Sequence, residues 1–272
     1  MTELALAGVA VAAILYRLGT RAPRGTRALR ERQWRAQAFY AGLAALALAV
    51  APPLDGLADK LFWWHMVQHA LLQMVAPPLI VLGAPWLAMW RPVSLGGRRR
   101  VSGWVVRTRL RAVARVLAAP AVAWLLFLGS IWLSHLPAVF DFALRQPLVH
   151  ESEHLVFVAT GLLFWSRVLD SPPFHARLTH ARRLAFLLSA GLAEAALSVV
   201  ILAQHAPLYA PYRTLVPRPE HLTALADQQL GGAIMLEPAS IPLLIAIIWS
   251  IGGLLAPKRK PPRMSPADTA GV

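Results

Sequence analysis

Seven stretches of the chain are dominated by apolar residues, at about 3–18, 36–54, 61–84, 116–135, 150–169, 184–205 and 231–256. Each is near the length, about 20 residues, that a helix needs to cross roughly 30 Å of hydrocarbon. Polar and basic residues collect between them. The pattern predicts an all-α, polytopic membrane protein: a bundle of seven transmembrane helices within residues 1–256. Glu3, not a basic cluster, precedes the first stretch and Arg residues follow it, so it reads as a span and not as a cleaved leader. From Pro257 onward the chain is Pro-rich, and 257–272 is expected to be a disordered cytoplasmic tail.

Composition strengthens this reading. Hydrophobic residues make up 57% of the chain and charged residues 15%, where soluble domains carry about 25% charged residues. The net charge of +14 would suggest nucleic acid for a soluble chain. The positions of the basic residues decide otherwise. Of the 27 Lys and Arg, 23 follow the first, third, fifth and seventh spans, in blocks such as Arg98-Arg99-Arg100 and Lys258-Arg259-Lys260. The alternate connections hold only Lys60, Arg145, Arg213 and Arg218. Basic connections stay in the cytoplasm. The alternation therefore predicts an outer N-terminus, a cytoplasmic C-terminus and seven crossings. The Arg blocks then serve topology and contact with anionic membrane lipid, and no nucleic-acid partner is expected.

The histidines gather on one side of this map. His65 and His69 lie in the first outer turns of the third span, and His135 ends the fourth. His150 and His154 open the fifth, His205 ends the sixth, and His221 lies in the last outer loop. Only His175 and His180 fall in a cytoplasmic connection. The pairs His65/His69 and His150/His154 have i,i+4 spacing, which puts both rings on one helix face. Two such helices can supply four nitrogens to one ion, with His135 and His205 at matching depth. Imidazole suits copper, zinc and iron, and thioethers such as those of Met66, Met74 and Met235 would favour Cu(I). A lone interfacial histidine is more often a polar residue at headgroup level, and each methionine alone is more often packing. With no cysteine in the chain, thiolate sites are excluded.

Other readings of the same residues stay open. His150-Glu151-Ser152-Glu153-His154 fits H-E-x-x-H, which on a helix can bind zinc with the Glu as general base of a protease. Such a protease needs a third ligand, often an Asp on another helix, and no Asp falls inside a predicted span. Haem ligation would more naturally use single histidines on facing helices. Glu194 lies eleven residues inside His205, about 16 Å deeper at 1.5 Å per residue, where a carboxylate is costly and often functional. A protonated packing role, a proton-relay role or pairing with a polar group such as Gln73 would each account for it. Pro77-Pro78 should kink the third helix, and Gly83-Ala84-Pro85 should end it. Tyr209 and Tyr212, in the long outer loop 206–230, are expected as interfacial anchors. That loop has the length and composition to cap the histidines.

The segments His65-Met66-Val67-Gln68-His69, Ala76-Pro77-Pro78-Leu79 and Leu82-Gly83-Ala84-Pro85 carry a resemblance. With His150/His154 followed by Phe157, Pro207-Leu208-Tyr209 and Asp227-Gln228-Gln229-Leu230-Gly231-Gly232, they resemble the CtaG family of cytochrome c oxidase assembly factors. The resemblance spans the second to the seventh helix. It implies a bacterial plasma-membrane protein that supports maturation of a caa-type haem–copper oxidase. The implied partners are oxidase subunits, the implied cofactor is copper, and the implied role is not that of an enzyme. The expected metal ligands are His65, His69, His150, His154, His135 and His205.

The topology is open to a direct check. Reporter fusions after residues 57 and 215 should report an outer location, and fusions after 25, 100, 178 and 262 a cytoplasmic one. A single stable fusion of opposite sign refutes the seven-span arrangement.

Overall fold

The computed structural model describes residues 2–20, 26–108, 110–172, 178–213 and 222–256, and the regular elements among them are all helical. The tail from Pro257, His175 and His221 lie outside the described residues. The principal helices are α1 (Thr2–Gly19), α2 (Thr26–Val50), α3 (Phe62–Leu82), α4 (Pro120–Ser134), α5 (Pro147–Val168), α6 (His180–Leu202) and α7 (Ala224–Leu255).

Four of these, α1, α3, α6 and α7, are long and apolar enough to cross a membrane. A fifth is added if Leu110–Leu117 and α4, bent by 74° at their junction, form one span. The two other expected spans are long helices of 25 and 22 residues, but polar groups dilute them. Arg30, Glu31, Arg32 and Arg35 lie in the first half of α2, and His150, Glu151, Glu153 and His154 in the first half of α5. Length and composition thus support four to five spans, and the count of seven rests on the basic-residue alternation.

Proline sets several boundaries. Pro120 and Pro147 stand at the first helical positions of α4 and α5, where a missing N–H costs nothing. The fourth helix therefore begins at Pro120 and not at 116. The basic connection after α3 is helical too, as Leu95–Arg107 and Leu110–Leu117. α7 is interrupted by a tight 3-10 turn at Pro238–Ser240.

α3 is the central element. Two-thirds (67%) of its most apolar stretch is buried, against 11% for α1, 33% for α6 and 22% for α7. It packs on α2, on α5 and on the first half of α7, while α4 lies against α5 and α6 against α7. The expected kink is resolved as a widened turn. Pro77 and Pro78 have no N–H to return to the preceding turn, and residues Leu71–Val75 form a π-helical turn just ahead of them. Gln73, inside that turn, donates to Phe127 O at 3.3 Å, Ser130 Oγ at 3.0 Å and Thr160 Oγ1 at 3.1 Å, which ties α3 to both α4 and α5. At the end of α3 the left-handed residue is Ala84, with φ 48°. Gly83 serves close packing instead, since a Cβ there would lie 2.5 Å from Phe39 Cβ.

Gly161 holds α5 against α3. A Cβ at this position would meet Pro77 Cγ at 2.7 Å and the Gln73 carbonyl oxygen at 2.9 Å. Gly161→Ala should cost about 1–3 kcal/mol, the usual penalty for overpacking, and lower the thermal midpoint of the detergent-solubilised protein. Gly129→Ala on α4, where an added Cβ meets nothing within 4 Å, should leave the midpoint unchanged or slightly raised. Equal midpoints for the two variants would contradict the close α3–α5 approach.

Candidate metal centre

The close approach of α3 and α5 brings the two histidine pairs together. Ring centroids of His65 and His69 are 4.2 Å apart, and those of His150 and His154 are 4.3 Å apart. Across the helices, His65 stacks on His150 at 5.0 Å and His69 lies 5.8 Å from His154. One ring nitrogen from each of His65, His69 and His150 falls within 4.8 Å of the others, a separation that one metal ion can bridge. His135, the residue that ends α4, places its ring 6.2 Å from that of His69. His205 stands apart. It is exposed beyond the end of α6 and makes no ring contact with the cluster among the described residues.

Hydrogen bonding fixes the protons on two of these rings. Tyr212 Oη donates to Ala58 O at 2.6 Å, so its 3.0 Å contact with His65 Nδ1 must be donated by the imidazole. His65 is therefore protonated at Nδ1, and Nε2 presents a lone pair. Burial, with Asp59 and Asp227 adding to it, holds the Tyr212 phenol well above its ordinary range, which keeps it a donor. His135 Nδ1 lies 2.7 Å from Ile131 O, an acceptor only, so its Nε2 is also unprotonated.

The remaining nitrogens have no protein partner. His65 Nε2, His150 Nε2 and both nitrogens of His69 and of His154 are buried with no hydrogen-bond partner among the described residues. Buried polar atoms are hydrogen-bonded in the great majority of cases. A group of six such atoms at one place fits a donor set made for a cation. Gln68 on the same helix donates to Ala49 O at 2.7 Å and to Asp55 Oδ1 at 2.9 Å, while its Oε1 is buried without a partner among the described residues. Asp59 also stands near His150. Burial and repulsion from Asp55 raise its carboxyl above the usual range, and His150 draws it back.

The loop residues expected at the interface turn out to build the site. Tyr209 and Tyr212 are 1% and 3% exposed, so neither is a headgroup anchor. Tyr209 Oη donates to His135 O at 3.1 Å. Tyr212 lies in the turn Ala210–Arg213 and Tyr209 directly precedes it. Phe140 was not foreseen. The connection after α4 is a helix, Pro137–Arg145, and it sets Phe140 5.2 Å from the His65 ring and 4.1 Å from Tyr209. The connection after α6 therefore covers the cluster through residues up to Arg213, and 214–221 lie outside the described residues.

The Asp227-to-Gly232 motif is scaffold. Asp227 lies in the first turn of α7, and its two oxygens accept from the Phe62 and Trp63 amides at 3.0 Å each. A carboxylate at a helix N-terminus satisfies orphan donors and complements the dipole. Gln228 Oε1 accepts from Leu208 N at 2.6 Å, and Gly231 lets α7 pass the Phe62 ring, which an added Cβ would meet at 2.4 Å. An Asp thus does begin a helix near the site, but its oxygens are turned to α3. Gln73 is not the partner of Glu194, whose Oε2 is buried and unpartnered at the base of the cluster.

The proton assignment is testable. In histidine-labelled protein, two-bond nitrogen–proton spectra should place the proton of His65 and of His135 on Nδ1. Tyr212→Phe should release His65 from this tautomer and leave His135 unchanged. A His65 protonated at Nε2 in the unsubstituted protein would overturn the assignment.

The chain is similar to known proteins. Three relatives, each an uncharacterized protein, come from Mycobacterium leprae (strain TN), Mycobacterium bovis and Mycobacterium tuberculosis. They are 26%, 27% and 27% identical over 214, 217 and 217 residues, covering 78% of this chain and 32% of each relative. The chain therefore spans about a third of the length of these relatives. No solved structure matches it. The family model described as cytochrome c oxidase caa3 assembly factor (Caa3_CtaG) matches residues 14–256. That span includes α2 to α7 and every histidine of the cluster, and the chain belongs to the family of cytochrome c oxidase caa3 assembly factors.

Proposed function

We propose that this protein receives copper at the outer face of the plasma membrane and passes it to subunits of a haem–copper oxidase during assembly. The observation that carries the reading is the convergence of His65, His69 and His150 within 4.8 Å, with partnerless nitrogens. His154 and His135 flank them and can take up the ion as it moves. The cargo site is made of neutral imidazoles, without thiolate or carboxylate among the three central ligands. Such ligands bind copper well yet leave it exchangeable, as transfer to a partner requires. Asp55 and Asp59 would draw cations toward the mouth. The proposed role involves no turnover. In this reading the chain crosses the membrane seven times with its C-terminus in the cytoplasm, and the Arg blocks meet anionic headgroups.

The arrangement favours this over a zinc protease. The tightest group takes both histidines of α3 and only His150 of the H-E-x-x-H segment. It also leaves no slot for a macrocycle, since His65 and His150 stack directly on one another.

Deletion of the protein should lower oxidase activity while the oxidase polypeptides are still made. Replacing His65 and His69 together by Ala should reproduce that loss at equal protein level. Glu151→Gln should do much less, because a copper carrier needs no general base. Equal damage from Glu151→Gln would favour the protease. Full oxidase activity in the double His variant would remove the histidines from the function.

A further inference from the structure

Next to the histidine cluster, residues of α3, α4, α5, α6 and α7 line a small cavity of about 30 Å³. Met66, Met74, Met235, His69, His135 and Glu194 line it. The three methionines are 1%, 2% and 6% exposed. We infer that this cavity is a second metal site, specific for a soft monovalent cation, Cu(I), bound by thioethers and by His135.

Two observations besides burial point to a ligand. His135 Nε2 faces Met66 Sδ at 3.3 Å. Its proton sits on Nδ1, held by Ile131 O at 2.7 Å, so both facing atoms carry lone pairs and no hydrogen lies between them. A cation placed between or beside them turns this contact into a ligand pair. The second observation is a carboxyl group in the cavity lining. Glu194 is 4% exposed, and its Oε2 has no hydrogen-bond partner. A buried carboxylate is costly unless it is paired with a charge. The thioethers and imidazoles are neutral, so one carboxylate balances one positive charge and leaves a divalent ion uncompensated. Thioether donors select Cu(I) by softness as well. His69 lines the cavity and belongs to the outer cluster, so the two sites share a wall.

This inference rests on the reading of copper as cargo only in naming the ion. The thioethers and Glu194 belong to the inner site alone, and His65 and His150 to the outer one, so the two can be tested apart. The purified full chain in detergent is loaded with Cu(I) against a competing chelator, and bound copper is counted and examined by X-ray absorption. The unsubstituted protein should hold two equivalents, with sulfur among the scatterers. Met66→Leu combined with Met235→Leu, which conserves core volume, should hold one equivalent with no sulfur signal. Glu194→Gln should weaken the sulfur-containing site at least tenfold. His65→Ala combined with His150→Ala should retain one equivalent with sulfur. That retention supports the inner site even if the outer triad proves irrelevant to oxidase assembly. Absence of sulfur scattering in the saturated, unsubstituted protein overturns the inner site, as does a Met66/Met235 variant that still holds two equivalents. Either result leaves the outer histidines untouched.

Discussion

Every polar side chain on α3 must find its partner inside the protein, because hydrocarbon supplies none. This constraint organises the bundle around the helix. His65, Gln68, His69 and Gln73 are all buried, at 1%, 0%, 7% and 3% exposure. The amide nitrogens of the two glutamines donate to neighbouring helices, Gln68 to Ala49 and Asp55, Gln73 to Phe127, Ser130 and Thr160. Those bonds, with Asp227 on the first two amides, fix the rotation and depth of α3. Once it is so fixed, the histidines have no freedom to turn elsewhere. Their unpartnered nitrogens sit on a helix held in place by these bonds.

The outer elements serve the same end. Tyr212 and Tyr209 bind His65 and the His135 carbonyl, and Phe140 covers the rings. Such outer contacts orient ligands and set which nitrogen is free. The covering segments, Pro137–Arg145 and Ala210–Arg213, come from two separate connections and meet through Ala210 N and Asp141 Oδ1 at 3.1 Å. An ion bound there would be held under a lid of aromatic rings.

Much of this was legible in the sequence. The helices could be read because long apolar runs have few physical alternatives, and the histidine pairs because i,i+4 spacing fixes a shared face. The pairing of α3 with α5 followed from matched depth. What escaped has a common cause: it depends on contacts between distant segments. Pro77-Pro78 announced a break, but its form as a π turn depends on what packs beside Leu71–Val75. Asp227 looked like a polar approach to a span, and only the fold sets it on residues 62 and 63. His205 was expected at the depth of the others, but the chain leaves helix at Leu202 and His205 is exposed beyond it. Composition alone supports four to five spans, because α2 and α5 carry polar groups that serve connection and site.

The central claim is that α3 and α5 hold one ion between them. Pulsed electron paramagnetic resonance on the purified protein, loaded with one equivalent of Cu(II), counts the imidazoles on that ion. The account predicts three coupled imidazoles, and two in either His65→Ala or His150→Ala. An unchanged count in the His150 variant would mean that α5 contributes nothing, and that the two pairs do not form one site.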